Sequence, residues 1–246
     1  MHHPITDTTQ LRQIAHNIRR NTLMMLAEAG SGHTGGSLGL ADIFTVLYFN
    51  EMHQDPGRPD HPERDRLVLS VGHVAPGWYA TLAEAGYFPK EELKTLRKLG
   101  SRLQGHPATD HHLPGLETSA GSLGQGLSVA VGAMSAAHHK LDKLVAIVDR
   151  NYLQIDGATE DVMTLRPLSQ KWKAFGWEVR LCDGNSIEEL LEVFSMINYT
   201  GHPTVIIAKT MMGKGVKSIE GDYTWHGKAP TREELGDFLK EMEEES

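Results

Sequence analysis

Residues 121–151 have the sequence GSLGQGLSVAVGAMSAAHHKLDKLVAIVDRN, which carries the clearest signals for the fold. It begins with a glycine-rich turn at 121–126, and the small residues from Val129 to Ala137 predict a helix after the turn. The stretch ends in an apolar strand pattern, Leu144 to Val148, followed by Asp149 and Asn151. Glycines at the start of a helix let backbone N–H groups approach an anion, and the helix N-terminus adds a positive dipole end. A strand that ends in Asp and Asn brings oxygen ligands to the edge of a sheet where open α/β folds bind ligands. The stretch therefore predicts a site for a phosphate and a metal.

Outside this stretch, short apolar strands alternate with helices. This pattern favours an α/β fold in which a doubly wound, mostly parallel sheet is flanked by helices, with residues 1–246 forming a single domain. The further predicted strands are Arg66–Ser70, Trp177–Cys182 and Thr204–Lys209. The predicted helices are 8–29, one from Ser37, Pro76–Ala85, Lys90–Leu99, Pro167–Phe175, Ser186–Ile197 and one from Thr231.

Composition excludes several classes of function. Lys and Arg number 24 against 32 Asp and Glu, which gives a formal charge of -8 and no basic footprint for nucleic acid. The longest apolar runs are too short to span a bilayer, and the N-terminal residues show no apolar signal segment. Cys182 is the only cysteine, so we expect a reducing, cytoplasmic setting. The fourteen histidines lack spacings such as HExxH, so the sequence does not support a dedicated zinc site.

Four histidines, His33, His73, His106 and His226, lie in glycine-flanked loops. A single loop histidine is more often a surface or structural residue than a catalytic one. Four in the same local setting favour a functional set, because glycine permits close approach of backbone and ligand.

The turn at 121–126 is only moderately specific. It is neither a Walker A loop nor a spaced GxGxxG fingerprint, and similar turns serve tight helix–strand packing without any ligand. Asn151 after a strand is likewise typical of an ordinary turn residue.

Taken together, the motifs resemble the N-terminal, thiamine-diphosphate (ThDP)-binding half of transketolase. The resemblance covers nearly the whole chain. Its markers are SGHTGGSLG at 31–39, LSVGH at 69–73, GHP at 105–107, GSLGQG at 121–126, AIVDRNYLQIDG at 146–157 and WHG at 225–227. The chain stops where the family's pyrimidine-binding domain would begin, so it resembles the small subunit of a split transketolase.

The resemblance implies roles for the four histidines. His33 and His106 would line the substrate channel beside the thiazolium ring. His73 and His226 would approach the cofactor diphosphate or the substrate.

It also implies a cofactor and metal site. Gly121, Ser122 and Leu123 would lie against ThDP, while Asn151 and the backbone carbonyl of Leu153 would bind Mg²⁺, or Ca²⁺ or Mn²⁺ in its place. Magnesium prefers hard oxygen ligands and shares diphosphate oxygens, which agrees with these residue types.

Two departures from the family pattern stand out. Val71 occupies a position that is usually Lys or Asn. More important, the family's strand ending in Gly-Asp-Gly, whose Asp is the principal magnesium ligand, is absent, and Gly132 joins directly to Ala133. We therefore expect a sheet one strand short. Loss of the carboxylate and backbone donors would cost a few kcal/mol of cofactor binding, about two orders of magnitude in affinity.

The resemblance implies an enzyme subunit that transfers a two-carbon ketol unit between sugar phosphates. It would need a partner chain with the C-terminal half, in an assembly that is at least a dimer, and no nucleic acid or membrane. The missing segment keeps two alternatives open: a cofactor-deficient interaction subunit, or a shortened variant whose site is rebuilt from other groups. The sister family of 1-deoxyxylulose-5-phosphate synthases matches the motifs less well.

Overall fold

The computed structural model describes residues 4–116, 119, 121, 142–199 and 201–244. A three-stranded parallel sheet organises this part of the chain, with strand order β1–β5–β4. The strands, which include a short antiparallel hairpin, are β1 Val145–Arg150, β2 Leu153–Gln154, β3 Gly157–Ala158, β4 Glu178–Asp183 and β5 Thr204–Lys209. Arg150 and Asp183 both align with Lys209, so the three parallel strands end at the same level.

Eight α-helices are described. They are α1 Thr8–Ala29, α2 Thr34–Gly39, α3 Ala41–Val46, α4 Ala75–Glu84, α5 Thr159–Val162, α6 Leu168–Ala174, α7 Ile187–Ser195 and α8 Arg232–Glu244. A π-helical turn at Leu47–Glu51 continues α3.

Alternating side chains of β5 explain why helices cover both faces of the sheet. Ile206 and Ala208 belong to the main core, together with residues of α1, α3 and α7. Val205 and Ile207 belong to a second cluster on the opposite face, against which residues of α6 pack. Successive residues of a strand point to opposite faces, so the continuous apolar run of β5 is that of a strand buried on both sides. The predicted α/β class with a parallel sheet flanked by helices is confirmed.

Helix α1 has the boundaries that its sequence predicts. Asp7 caps its N-terminus by accepting hydrogen bonds from the backbone N–H groups of Thr9 and Gln10. Gly30 ends it in the left-handed conformation, with φ 63°.

Helices α2 and α4 approach each other closely at a glycine. A Cβ atom at Gly77 would lie 2.7 Å from the backbone oxygen of Ser37. This contact allows the two helices to pack backbone to backbone. Because His33 immediately precedes α2 and His73 lies shortly before α4, the same packing brings these two histidines together.

Two predicted elements are wrong. Arg66–Ser70 is not a strand, because it pairs with none of the described strands and an extended segment without a ladder partner does not join a sheet. Lys90–Leu99 is not an α-helix but a 3-10 turn, Lys90–Thr95. The chain leaves this turn at Arg97, whose φ is +58° and whose N–H donates to the carbonyl of Leu103 at 2.9 Å.

The helix predicted from Ser37 begins three residues earlier, at Thr34, and is divided into α2, α3 and the π-turn. The other predicted helices and strands in the described ranges are confirmed to within a few residues. The predicted helix after the glycine-rich turn, and the join of Gly132 to Ala133, lie outside the described residues. None of the described helices is both long and apolar enough to cross a membrane.

Candidate active site

Four imidazole rings meet in one cluster. The ring centre of His33 lies 5.0 Å from that of His73, 5.8 Å from that of His226 and 6.4 Å from that of His106. His73 and His226 are 5.1 Å apart. The structure thus brings together the four histidines that the sequence analysis singled out, although they come from four separate loops.

Hydrogen bonds at the start of α2 fix the loop that carries His33. The hydroxyl of Ser37 donates to the carbonyl of His33 at 2.7 Å. The hydroxyl of Thr34 donates to the carbonyl of Lys228 at 2.5 Å, which ties this loop to the segment that carries His226. The His226 segment is itself anchored by Trp225, whose ring packs against that of Phe238 with centres 5.1 Å apart.

The other two histidines are held differently. His73 is part of the 3-10 turn Gly72–Val74 that leads into α4. His106 is exposed and lies in the long loop that precedes the glycine-rich turn. An ion pair between Arg102 and Glu92, with N–O distances of 2.7 and 3.0 Å, fastens the start of that loop.

The environment keeps His33, His73 and His226 neutral. Desolvation, followed by the neighbouring imidazoles and Arg97, lowers the pKa of His33 to about 4. Desolvation, followed by the neighbouring imidazoles, lowers the pKa of His73 to about 4. Desolvation also lowers the pKa of His226. At pH 7 these rings therefore act as neutral donors or acceptors rather than as cations.

The same rings present unused polar atoms. The Nδ1 atoms of His33, His73 and His226 are buried and have no hydrogen-bond partner in the described part of the chain. Buried polar groups are normally paired, and an orphaned one calls for an explanation such as a ligand. Three such atoms in one cluster fit a ligand rich in hydrogen-bonding oxygens.

Of the three residues predicted to lie against the cofactor, only Gly121 is described. A Cβ atom there would lie 3.8 Å from the His106 side chain, so the glycine-rich turn begins beside the histidine cluster. Ser122 and Leu123 lie outside the described residues.

Polar groups gather where β1 ends. The hydroxyl of Thr210 and the amide of Asn151, the latter at 3.3 Å, both donate to the Asp149 carboxylate. Desolvation raises the pKa of Asp149, and these two hydrogen bonds oppose that shift. The side-chain oxygen of Asn151 accepts from the N–H of Leu153 at 2.9 Å, so the two predicted metal-binding residues form one turn.

The segment after β5 links this corner to the histidine cluster. The N–H of Thr210 donates to the carbonyl of Arg150 at 3.4 Å, and the N–H of Gly213 donates to the carbonyl of Gly35 at 2.9 Å. Gly35 is the second residue of α2, which follows His33 directly. The two parts of the predicted site therefore border the same segment.

The polar groups of the described residues suit a diphosphate better than they suit the metal ion that would be bound to it. The orphaned imidazole atoms suit the anion. For the metal, no three His, Cys, Asp or Glu side chains in the described ranges are arranged as a ligand set. The sequence of residues 122–141 contains no Asp or Glu either. Asp149 is the carboxylate bonded to Asn151, and it is already engaged by Thr210.

Sequence reasoning missed Thr210 and Arg150. Thr210 directly follows β5, at the sheet edge where ligands bind in such folds, so its position was a usable signal. Nothing in the sequence indicates the role of Arg150. Its partners Thr159 and Glu160 follow a turn that the spacing of apolar residues does not predict.

Comparison with known proteins identifies the class. The family described as "Transketolase, thiamine diphosphate binding domain" matches residues 10–138 and 133–242. The chain belongs to this transketolase family.

Among its relatives are proteins that are themselves subunits. It is 38% identical to an apulose-4-phosphate transketolase subunit of Actinobacillus succinogenes, over 96% of this chain and 97% of that protein. It is also 38% identical to the 6-deoxy-6-sulfo-D-fructose transketolase subunit SqwG of Clostridium sp., over 96% of this chain and 97% of that protein.

Solved transketolases share the fold. The transketolase from Leishmania mexicana matches with a TM-score of 0.87 and 28% identity, over 98% of this chain and 42% of that one. This chain thus spans about two fifths of that full-length enzyme.

One alignment is longer than the part of this chain that it matches. The alignment with the Actinobacillus protein has 268 positions, whereas the matched 96% of this 246-residue chain amounts to about 236 residues. About 32 positions therefore have no residue of this chain. The two segments that match the family overlap at residues 133–138, and the missing Gly-Asp-Gly segment stays a prediction.

Proposed function

We propose that the chain is the ThDP-binding subunit of a two-chain transketolase that transfers a two-carbon ketol unit from a ketose phosphate to an aldose phosphate. The observation that carries this proposal is the convergence of His33, His73 and His226, whose buried Nδ1 atoms have no partner in the described residues. Membership of the transketolase family supports it.

Each histidine has a task in this proposal. His33 and His106 line the substrate channel and exchange hydrogen bonds with the sugar hydroxyls. His73 and His226 bind the cofactor diphosphate or the substrate. Because the pKa values of His33 and His73 are about 4, both rings enter the reaction neutral, and each has one nitrogen that donates and one that accepts a hydrogen bond.

The cofactor, when bound, supplies the nucleophilic carbon and the electron sink that the chemistry requires. Gly121, Ser122 and Leu123 would hold ThDP, where glycine would allow the backbone to approach closely. Asn151 and the carbonyl of Leu153 are the oxygen ligands that this chain offers to Mg²⁺, or to Ca²⁺ or Mn²⁺.

A partner chain completes the enzyme. It supplies the C-terminal half, including the glutamate that activates the aminopyrimidine in this family, so the subunit works in a hetero-oligomer in the cytoplasm. The Actinobacillus and Clostridium relatives are each named as one subunit of a transketolase, which supports a second chain.

The test is donor cleavage by the assembled complex. The chain is produced with its partner half, and consumption of ketose phosphate is measured at saturating ThDP and Mg²⁺. We expect turnover, and we expect His73→Gln to lower kcat by about 10²-fold or more, as loss of a proton-transfer group does. His111→Gln, which alters an exposed histidine, should leave kcat unchanged. A complex without donor cleavage would refute the proposal.

A second candidate is a cofactor-deficient interaction subunit. It is favoured by the roughly 32 alignment positions without a counterpart and by the absence of Gly-Asp-Gly. This candidate predicts a folded chain that binds its partner but gives no heat with ThDP. If other groups rebuild the site, the chain binds the cofactor despite its shorter sequence. A ThDP titration therefore distinguishes a rebuilt site from a cofactor-deficient subunit.

A further inference from the structure

Arg150 is the last residue of β1 and is almost fully buried, with 6% of its surface exposed. Its guanidinium donates to the Thr159 hydroxyl at 2.8 Å and to the Glu160 carboxylate at 2.5 Å. The guanidinium carbon also lies 4.0 Å from the centre of the Tyr152 ring, in cation–π geometry. The Arg150 side chain therefore contacts residues at both ends of the hairpin that β2 and β3 form.

Within the described ranges, few other contacts stabilise the hairpin. None of residues 151–160 is buried, so burial of apolar surface contributes little to its order. Its ladder joins only two residue pairs. Tyr152 has a φ of +63°, a conformation that costs a residue with a side chain free energy. The polar contacts of Arg150 oppose this cost, because a hydrogen bond to a charged group is stronger than a neutral one.

The same hairpin carries the Asn151–Leu153 turn. The N–H of Leu153 donates to the Asn151 side chain at 2.9 Å, and the N–H of Thr159 donates to the Tyr152 carbonyl at 2.8 Å. Thr159 is in turn held by Arg150. Arg150 is therefore linked through Thr159 to Tyr152, the residue that lies between Asn151 and Leu153.

We propose that Arg150 is a positioning residue: it fastens residues 152–160 to the end of β1 and so fixes the Asn151 and Leu153 oxygens for the metal-bound diphosphate. The second half of this inference rests on the function proposed above, whereas the first half concerns the chain alone. Since no carboxylate follows the glycine-rich turn in residues 122–141, cofactor binding in this chain depends more heavily on that one turn.

The test compares four full-length proteins. Arg150→Met removes the guanidinium and keeps an unbranched apolar side chain. Arg150→Lys keeps the charge, but one ammonium cannot reproduce the fork of bonds to Thr159 and Glu160. Arg166→Met is the matched control, because Arg166 pairs with the same Glu160, at 3.5 Å, from a side chain that is 77% exposed. The fourth protein is the unaltered chain.

Two readouts are taken. Amide hydrogen exchange by mass spectrometry follows residues 152–160, with β5 as an internal reference. Calorimetry measures the Kd for ThDP in the presence of Mg²⁺. We expect Arg150→Met to speed exchange of the hairpin at least about tenfold and to weaken ThDP binding about tenfold, with β5 unchanged. Arg150→Lys should fall between, and Arg166→Met should match the unaltered chain.

Each other result overturns part or all of the inference. If the hairpin amides exchange at the same rate in Arg150→Met as in the unaltered chain, the whole inference is overturned. Faster exchange with an unchanged ThDP Kd would overturn the role in cofactor binding. An assembly of the unaltered chain with its partner half that binds no ThDP would refute the proposed function, while the exchange data would still decide whether Arg150 holds the hairpin. If Arg150→Met does not fold, Arg150→Lys and Glu160→Gln carry the same comparison.

Discussion

The imidazoles of His33 and His73 lie with ring centres 5.0 Å apart and ring planes inclined at 63°. The two residues are far apart in sequence and meet because α2 and α4 pack through Gly77. Desolvation is the largest cause of the low pKa of both rings; His33 also lowers the pKa of His73, and His106 and His226 lower the pKa of both. The pH dependence of stability should therefore report on the cluster.

We predict that the chain loses stability as the pH falls from about 6.5 to about 4. The pKa of His33 and of His73 is about 4 in the folded chain, against 6.5 for an ordinary histidine. Between these values the unfolded chain binds more protons, so the free energy of unfolding decreases as the pH drops. Urea unfolding at several pH values should show a shallower decrease for the His33→Asn, His73→Gln double variant. His202→Gln, at an exposed site, is the control, and an unchanged slope in the double variant would contradict the assignment.

A second prediction concerns the spacing of α2 and α4. Gly77→Ala places a methyl group 2.7 Å from the Ser37 carbonyl, so the two helices must separate. We expect a loss of about 1–3 kcal/mol in unfolding free energy and a change in the NMR shifts of the His33 and His73 rings. Gly236→Ala is the control: a methyl group meets nothing within 4 Å there, and it should stabilise α8 by about 0.5–1 kcal/mol. Equal effects of the two variants would show that the contact is not tight.

The buried ion pair between Arg19 and Asp42 gives a third prediction. Arg19 is 8% and Asp42 5% exposed, and Asn185 also donates to the carboxylate at 2.9 Å. Asp42→Asn leaves a buried guanidinium without its counter-ion and should cost about 3–5 kcal/mol. The pair of Arg12 and Glu188 has both side chains at least half exposed, so Glu188→Gln should cost less than about 1 kcal/mol. Chemical denaturation measures both, and a small effect of Asp42→Asn would show that water reaches Arg19.

The two ends of β5 provide a fourth prediction. Thr210 donates its hydroxyl to Asp149, so Thr210→Val leaves a desolvated carboxylate short of a donor and should cost about 1–3 kcal/mol. The hydroxyl of Thr204 is buried without a partner in the described residues, so Thr204→Val should be neutral or stabilising. Thermal unfolding of the two variants checks the contrast. A Thr210→Val protein as stable as the unaltered chain would mean that Asp149 is satisfied without this hydroxyl.

The sequence predicts those elements whose own residues determine them, and it fails where an element depends on a distant part of the chain. Helix α1 was predicted because its apolar positions recur at helical spacing and Gly30 ends it. Strand β5 was predicted residue for residue, because a short apolar run bounded by Pro203 and Thr210 suits a buried strand. The failed strand at Arg66–Ser70 has an equally apolar pattern. Its outcome depends on a neighbouring strand, which no local window contains.

The candidate site follows the same rule. Glycine flanks marked His33, His73, His106 and His226, and the structure brings all four together. Arg150 escaped notice because its importance lies in contacts with Thr159 and Glu160 across a hairpin. The roles of these residues in cofactor binding stay predictions.

The most direct test of the account is a calorimetric titration of the purified chain with ThDP in Mg²⁺. A version with a family Gly-Asp-Gly unit restored between Gly132 and Ala133 serves as the positive control. The proposed function predicts that the unaltered chain binds ThDP, at an affinity no more than about two orders of magnitude below that of the restored one. Binding by the restored chain alone would contradict the account, and would make the histidine cluster the remnant of a cofactor site in an interaction subunit.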